Sequence, residues 1–313
     1  MSRHLVAFAV AGLLLGLTPA VAAATPSASP VAAGPADPVG PADPVDTTVR
    51  AAAVTPSAGT TLGPWHLAGH YSALSLTADE GVATSGSTTL YRGVGTVPLD
   101  LRLQGWNHVG DPDVHAGYVL DDYQGPDGAT SKLYSVTAPD GVRSDYPHPL
   151  APGELMNNSF ATISPDGQWF VSGEWLQMQR LLVFAIPQLN PSAPAAGQPL
   201  PLATTIQLDH PVRDVQGCDF VSATRLLCAA DDPATDLWPT PKQLLQVDLP
   251  RPLDGQPITG HVTSLGELPM QSLCSGTFEV EGIDVSGSQL LVEVTPPSPC
   301  NIAVTTVYRY TSG

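Results

Sequence analysis

An all-β fold is expected from three features of this sequence. Thirty-three prolines are scattered through its 313 residues, and they argue against long helices. Helical periodicity is nearly absent, while short apolar stretches alternate with turn residues. A weak internal repeat, five copies long, runs over about residues 65–310. Each copy reads as strand, tight turn, strand, polar loop, and a third strand ending in an aromatic or aliphatic cluster. No single copy can bury both of its faces, so the copies must pack around a common axis. The expected architecture is a β-propeller of five four-stranded antiparallel blades, the last closed by a strand from the N-terminal side.

The elements follow in order. The turns fall at 77–81 (TADEG), 115–117 (HAG), 164–167 (SPDG), 222–224 (SAT) and 286–288 (SGS). Third strands are expected at 90–94 (LYRGV), 133–137 (LYSVT), 181–186 (LLVFAI), 244–249 (LLQVDL) and 307–310 (VYRY). Outer fourth strands are expected at 97–103, 142–146, 203–208 and 258–265. The fifth copy runs out after its third strand, and residues 61–67 (TLGPWHL) are placed to supply the missing one. A ring closed in this way has no long exposed edge.

Residues 1–24 read as a secretory signal peptide: Arg3 and His4, an apolar run over 5–17, then small-residue cleavage sites around Ala22 and Ala24. Residues 25–60 are rich in Ala, Pro, Ser and Thr and contain a tandem GPADPV duplication, the composition of an extended linker. The propeller domain is then 61–313. The net charge is −17 and the only lysines are Lys132 and Lys242. That balance speaks against nucleic acid, and against membrane contact beyond the signal peptide. It suits a cationic ligand or a divalent metal. The expected protein is an extracellular monomer.

Four cysteines allow three pairings. Cys218 and Cys228 lie symmetrically about Ala223, at the centre of a hairpin turn, which sets them opposite one another across two strands. Cys274 precedes the first strand of the last copy and Cys300 follows its second, so both lie at one end of a hairpin. The expected bridges are Cys218–Cys228 and Cys274–Cys300. Their spacing does not suit a CxxC metal site.

With the turns superimposed, one polar column reads His70, His108, Asn157, Asp214, Glu279. Two residues on stand Ser72, Gly110, Ser159, Gln216, Glu281, with Tyr71, Val109, Asn158, Val215 and Val280 between. This is a strand with one wet and one packed side. If first strands are innermost, the polar columns surround the mouth of a central channel. Second strands end in acids on the same face: Asp121-Asp122, Glu174 and Asp231-Asp232.

At 163–170 (ISPDGQWF) the chain resembles the SPDG hairpin of TolB-type bacterial β-propellers. With NHVGDPD, NNSFATISPDGQW and VSGEW it also resembles secreted propellers of high-GC Gram-positive bacteria. The resemblance implies a propeller with its ligand site where the first strands begin. It implies no reaction, since propellers host lectins, scaffolds, lactonases, glycosidases and dehydrogenases.

The densest polar cluster is His108 to Asp113 (HVGDPD). It offers His108 as a base and Asp111 as a metal ligand, although Asp before Pro is also a good turn former. Glu279 and Glu281 stand two apart, on one side of a strand, where two carboxylates share a proton or a cation. Asp111, Asn158 and Glu281 match, in residue type only, the metal set of lactonase-type propellers. Calcium is the one cofactor these residues suggest. Trp106 and Trp175, in loops of the candidate face, are candidate stacking platforms for sugar, whereas Trp169 is expected in the core.

Three functions follow. The first is binding of a carbohydrate, cell-wall or protein ligand by His70, His108, Asn157, Asp214, Gln216, Glu279, Glu174, Trp106 and Trp175. The second is a calcium-dependent hydrolase or lyase, lactonase- or glycosidase-like, with His108 as base. The third is a structural scaffold. Binding is favoured, because no nucleophile elbow, phosphate loop or zinc helix is present.

Overall fold

Branched apolar residues run in short stretches between glycine, proline and serine turns, and the chain folds accordingly into antiparallel hairpins. The computed structural model describes residues 61–126, 128–156 and 160–313, which belong to one compact unit. The signal-peptide and linker readings, and Asn157 and Asn158, lie outside the described residues.

The chain opens with β1 (Thr61–Leu62) and β2 (Trp65–Leu74). The first unit is the hairpin β3 (Gly81–Ser85) and β4 (Thr88–Arg92), followed by the short helix α1 (Leu99–Leu103). The second holds β5 (His108–Val109), β6 (Asp113–His115), β7 (Tyr118–Gln124), β8 (Ser131–Thr137) and β9 (Arg143–Pro149). In the third are β10 (Ala161–Ile163), β11 (Trp169–Ser172), β12 (Gln177–Ala185) and β13 (Thr204–Arg213). The fourth has β14 (Val215–Ser222), β15 (Arg225–Asp231), β16 (Lys242–Asp248) and β17 (Ile258–Glu267). The last contains β18 (Glu279–Ser286), β19 (Gln289–Thr295) and β20 (Val304–Ser312).

These units form a ring. The inner strands neighbour one another in a closed cycle, β3 to β6, β6 to β10, β10 to β14, β14 to β18, and β18 back to β3. The last unit takes its fourth strand from the N-terminal side: β2 pairs antiparallel with β20 from Trp65↔Ser312 to Leu74↔Val304. The fold is therefore all-β and of propeller type. The hydrophobic core is divided accordingly into layers between successive units. Tyr134, Phe170 and Phe184 fill the layer between units two and three; Val171, Leu226 and Val247 that between three and four; Leu227, Val280 and Tyr308 that between four and five. The outer strands β13 and β17 also pair, in parallel, joining units three and four into one eight-stranded sheet.

Two expectations are corrected. The turn of the first copy lies between β3 and β4, at Gly86, and not at 77–81, because the closing strand β2 extends through Leu74 and takes in the residues read as the first inner strand. As a result 90–94 falls largely in a second strand, β4. The fourth strand expected at 97–103 is α1 instead. Alternating Leu99, Leu101 and Leu103 suggests a strand, but Val97 and Leu101, four apart, are the pair that is buried, and Leu99 and Leu103 face solvent. Unit one thus has two strands where four were expected. The other four turns stand where the sequence places them. Both expected disulfides are present, and Cys218 faces Cys228 directly in the β14–β15 register.

Side chains stitch the ring around its axis. The Ile163 N–H donates to Asp113 Oδ2 at 2.6 Å, that of Val285 to Asp219 Oδ2 at 2.6 Å, and that of Thr84 to Asp284 Oδ1 at 2.9 Å. Thr162, at the equivalent place in unit three, holds its hydroxyl 3.3 Å from both Asp113 Oδ2 and Asp219 Oδ1. Between units one and two the link is Asp111, whose Oδ1 accepts the Val82 N–H at 2.9 Å while Oδ2 accepts that of Ile283 at 3.0 Å. The Asp111 carboxylate fits there because glycines face it: a methyl group on Gly217 would lie 2.5 Å from Oδ2, and one on Gly282 would strike Oδ1. Gly217→Ala is expected to destabilise the protein by about 1–3 kcal/mol through overpacking. The readout is a lower midpoint of chemical unfolding at unchanged m-value; an unchanged midpoint would refute the packing account.

Candidate ligand site at the channel mouth

The inner strands begin on one face, and there the sequence concentrates acids. Glu80 precedes β3, Glu279 and Glu281 open β18, and Asp231 ends β15. Burial raises the carboxyls of Glu80 and Glu281 well above the ordinary range, and repulsion among Glu80, Glu279, Asp231 and Glu293 adds to it. Glu293 is fully buried, with neither oxygen partnered among the described residues, and burial likewise pushes it well up. His108 Nε2 lies 3.2 Å from Glu80 Oε2, and burial lowers the imidazole pKa, which favours the neutral ring. Below them the axis is blocked by Asp111, 2% exposed, its carboxyl also pushed well up by burial.

Beside this blocked axis lies an open pocket of about 310 Å³. Trp175, Asp214, Gln216, Asp231, Lys242, Phe278 and Glu279 are among its lining residues. Two non-glycine residues in the left-handed region shape it: Leu176 at φ 63° and Asp214 at φ 40°. The Asp214 N–H donates to the Leu176 carbonyl at 3.1 Å, and the Asp231 N–H to the Asp214 carbonyl at 3.0 Å. Such conformations cost of order 1–3 kcal/mol each and collect at ligand clamps. Next to the first of them, Trp175 stands 43% exposed. Asp231 Oδ2 lies 2.7 Å from Lys242 Nζ, yet burial pushes its pKa up to about 7 against that cation. Asp214 and Glu279 are also raised, chiefly by burial.

Asp214, Gln216, Glu279 and Trp175 are thus brought together, with His108 elsewhere on the same mouth. Other expected site residues are elsewhere. His70 sits on β2, the outer strand of the last unit, its ring 5.6 Å from that of Tyr308, because the closing strand displaced the first repeat. Trp106 is half-buried against Val97, Leu101 and Tyr123, since α1 folds over it. Glu174 is 5% exposed and pairs with Arg180 at 2.6 and 2.8 Å, in a separate groove beside β12. The Glu279–Glu281 pair is split by a bulge between Val280 and Ile283, which leaves Glu279 exposed and Glu281 buried. Asp111 has both oxygens committed to backbone N–H groups, and among the described residues no three His, Cys, Asp or Glu side chains are grouped to hold a metal ion. Trp169 packs against the core, as expected.

Sequence reasoning missed Phe278 and Lys242 in the pocket, and the stitching aspartates. A signal for the latter exists: GCDF at 217–220, GIDV at 282–285 and DPDV at 111–114 carry the same acid shortly before each turn. Nothing marks Phe278, a lone aromatic in a polar loop.

No family model matches the chain, and no curated protein matches it. The solved structure of native Bacillus subtilis arabinanase Arb43A is similar over 75% of this chain and 94% of its own, at TM-score 0.43 and 11% identity. The fold assignment rests on the strand order and ring closure described above, not on that likeness.

The raised and lowered carboxyls make stability depend on pH with a definite sign. Asp113 is pushed up to about 6 and Asp231 to about 7, both chiefly by burial, so their contributions are complete below about pH 4 and are lost as pH rises through 6–7. Glu154 is held down to about 2: burial opposes this, but bonds from His148 and Lys132 outweigh it. Its contribution is lost as pH falls from about 4.5 towards 2. The melting temperature is expected to peak near pH 4 and to fall as pH rises to about 7, with Asp113→Asn flattening the alkaline limb. A melting temperature still rising from pH 6 to 8 would contradict this.

Proposed function

We propose that this protein is a secreted propeller that binds a saccharide in the mouth pocket. The observation that carries the reading is a single pocket lined by both the exposed indole of Trp175 and Phe278, with a polar wall of Asp214, Gln216, Asp231, Glu279 and Lys242. Aromatic faces stack on the C–H faces of sugar rings, while carboxylate and amide oxygens accept from hydroxyls. Backbone strain at Leu176 and Asp214 supports a site held in shape before ligand arrives. Secretion is supported by the N-terminal signal pattern and by the two disulfides. Among the described residues no helix is long and apolar enough to cross a membrane.

A hydrolase reading has one specific support. Asp231, with its pKa near 7, shares the pocket with Glu279, and a carboxyl poised near neutrality suits a general acid. The same titrations therefore include an assay for released reducing ends. They are run with calcium and then with chelator, which also tests the metal reading of Asp111, Asn158 and Glu281.

Trp175→Ala is expected to weaken saccharide binding about tenfold, the loss of one stacking face worth roughly 1–1.5 kcal/mol. The melting temperature should fall by no more than about 2–4 °C, since much of the side chain is already in solvent. Calorimetric or fluorescence titration against a panel of soluble oligosaccharides reads the first quantity. Equal affinity in variant and wild type would remove the pocket from the function.

A further inference from the structure

We propose that the saccharide taken by the mouth pocket is an amino sugar, carrying a protonated amine that sits between Asp214 and Glu279. The inference rests on the saccharide reading above and adds the charge of the ligand.

The pocket wall carries three carboxylates, Asp214, Asp231 and Glu279, against one ammonium, Lys242. Lys242 is almost wholly buried and lies 2.7 Å from Asp231, its contact partner, and it attracts Asp214 and Glu279 from further off. Asp214 and Glu279 have no cation in contact among the described residues. Among the described residues Asp214 Oδ1 has no hydrogen-bond partner. The side-chain amide of Gln216 lies 3.5 Å from Glu279 Oε1. The adjacent Arg213 does not serve them, because its guanidinium is held by Asp232 and Asp236. The chain's other lysine, Lys132, is buried 2.9 Å from Glu154 in the second unit.

A pair of carboxylates with no cation in contact gains more from an ammonium, through charged hydrogen bonds, than from a neutral hydroxyl. Partial burial holds both carboxyls above their ordinary range although Lys242 opposes it, and Asp214 raises Glu279 further. A cation between them reverses both effects. The aromatic faces of Trp175 and Phe278 attract the same charge. An N-acetyl group would remove that charge and add bulk.

The test titrates the full mature protein at pH 6 with three hexasaccharides of one linkage: β-1,4-glucosamine, β-1,4-N-acetylglucosamine and β-1,4-glucose. The glucosamine hexamer is expected to bind about ten- to a hundredfold tighter than the other two, the range of a charged hydrogen bond. Added salt should erode that preference. Asp214→Asn and Glu279→Gln should each remove most of that preference, lowering affinity for the glucosamine hexamer far more than for the neutral sugars. Asn tolerates the left-handed backbone at position 214, so the first variant keeps the fold. Equal binding of all three sugars would overturn the amine inference and leave saccharide binding standing. Preference for glucosamine that survives both substitutions would place amine recognition elsewhere and overturn it too. Binding of none of the three, by a protein with wild-type melting behaviour, would count against the saccharide reading itself and take this inference with it.

Discussion

The structure depends on carboxylates that accept backbone N–H groups across the seams between units. A propeller brings together inner strands that do not pair as a sheet, so each presents edge groups towards the axis that must be satisfied in another way. Here Asp113, Asp219 and Asp284 each take an N–H from the next unit, Thr162 bridges two of them, and Asp111 closes the remaining seam and reaches across to Ile283. An aspartate suits this task because its two oxygens accept in two directions at once, linking the strand that carries it to a neighbour. The interblade layers of Tyr, Phe, Val and Leu supply the burial. The aspartates supply the register that holds five hairpins at one axis.

This arrangement gives much of the chain's acidity a structural meaning. A net charge of −17 suggests a solvated acidic surface, yet Asp111, Asp122, Glu281, Asp284 and Glu293 are all nearly or wholly buried. Several are held in their protonated direction by burial, so the formal charge overstates what the ring carries. Both lysines and one arginine are paired inside: Lys132 between Glu154 and the Gly173 carbonyl, Lys242 on Asp231, Arg92 on Asp121.

The repeat was legible because a hairpin announces itself locally. SPDG, SAT and SGS fix turns through residues that tolerate tight backbone, and the flanking alternation sets the strands. Cys218 and Cys228 could be paired for the same reason, since register follows from the turn. The first unit was not legible, because strand alternation over 65–76 continues across what is a change of unit, and only tertiary pairing of β2 with β20 shows where the closing strand ends. His70 was carried along with that error. The site was half legible. Polarity columns located Asp214, Gln216 and Glu279, but a column reports which side of a strand is wet and not whether a neighbour covers it. Trp106 and Glu174 failed on that point, the one covered by α1 and the other tied to Arg180.

The position of the pocket follows from the axis. A channel mouth invites a ligand at its centre, and the polar columns suggest a symmetric ring of ligating groups. The axis is instead filled by Asp111 and the glycines that admit it, so no ligand can use the channel without breaking the bonds to Val82 and Ile283. The pocket on this face lies off-axis, in a gap between units. The gap beside units four and five is where Asp231 ends its strand against Lys242, where the Val280 N–H bonds back to Asp231, and where strained backbone at Leu176 and Asp214 holds Trp175 out from the core. The closure that makes the ring rigid denies it a central site, and leaves the asymmetry of one seam to supply a binding surface.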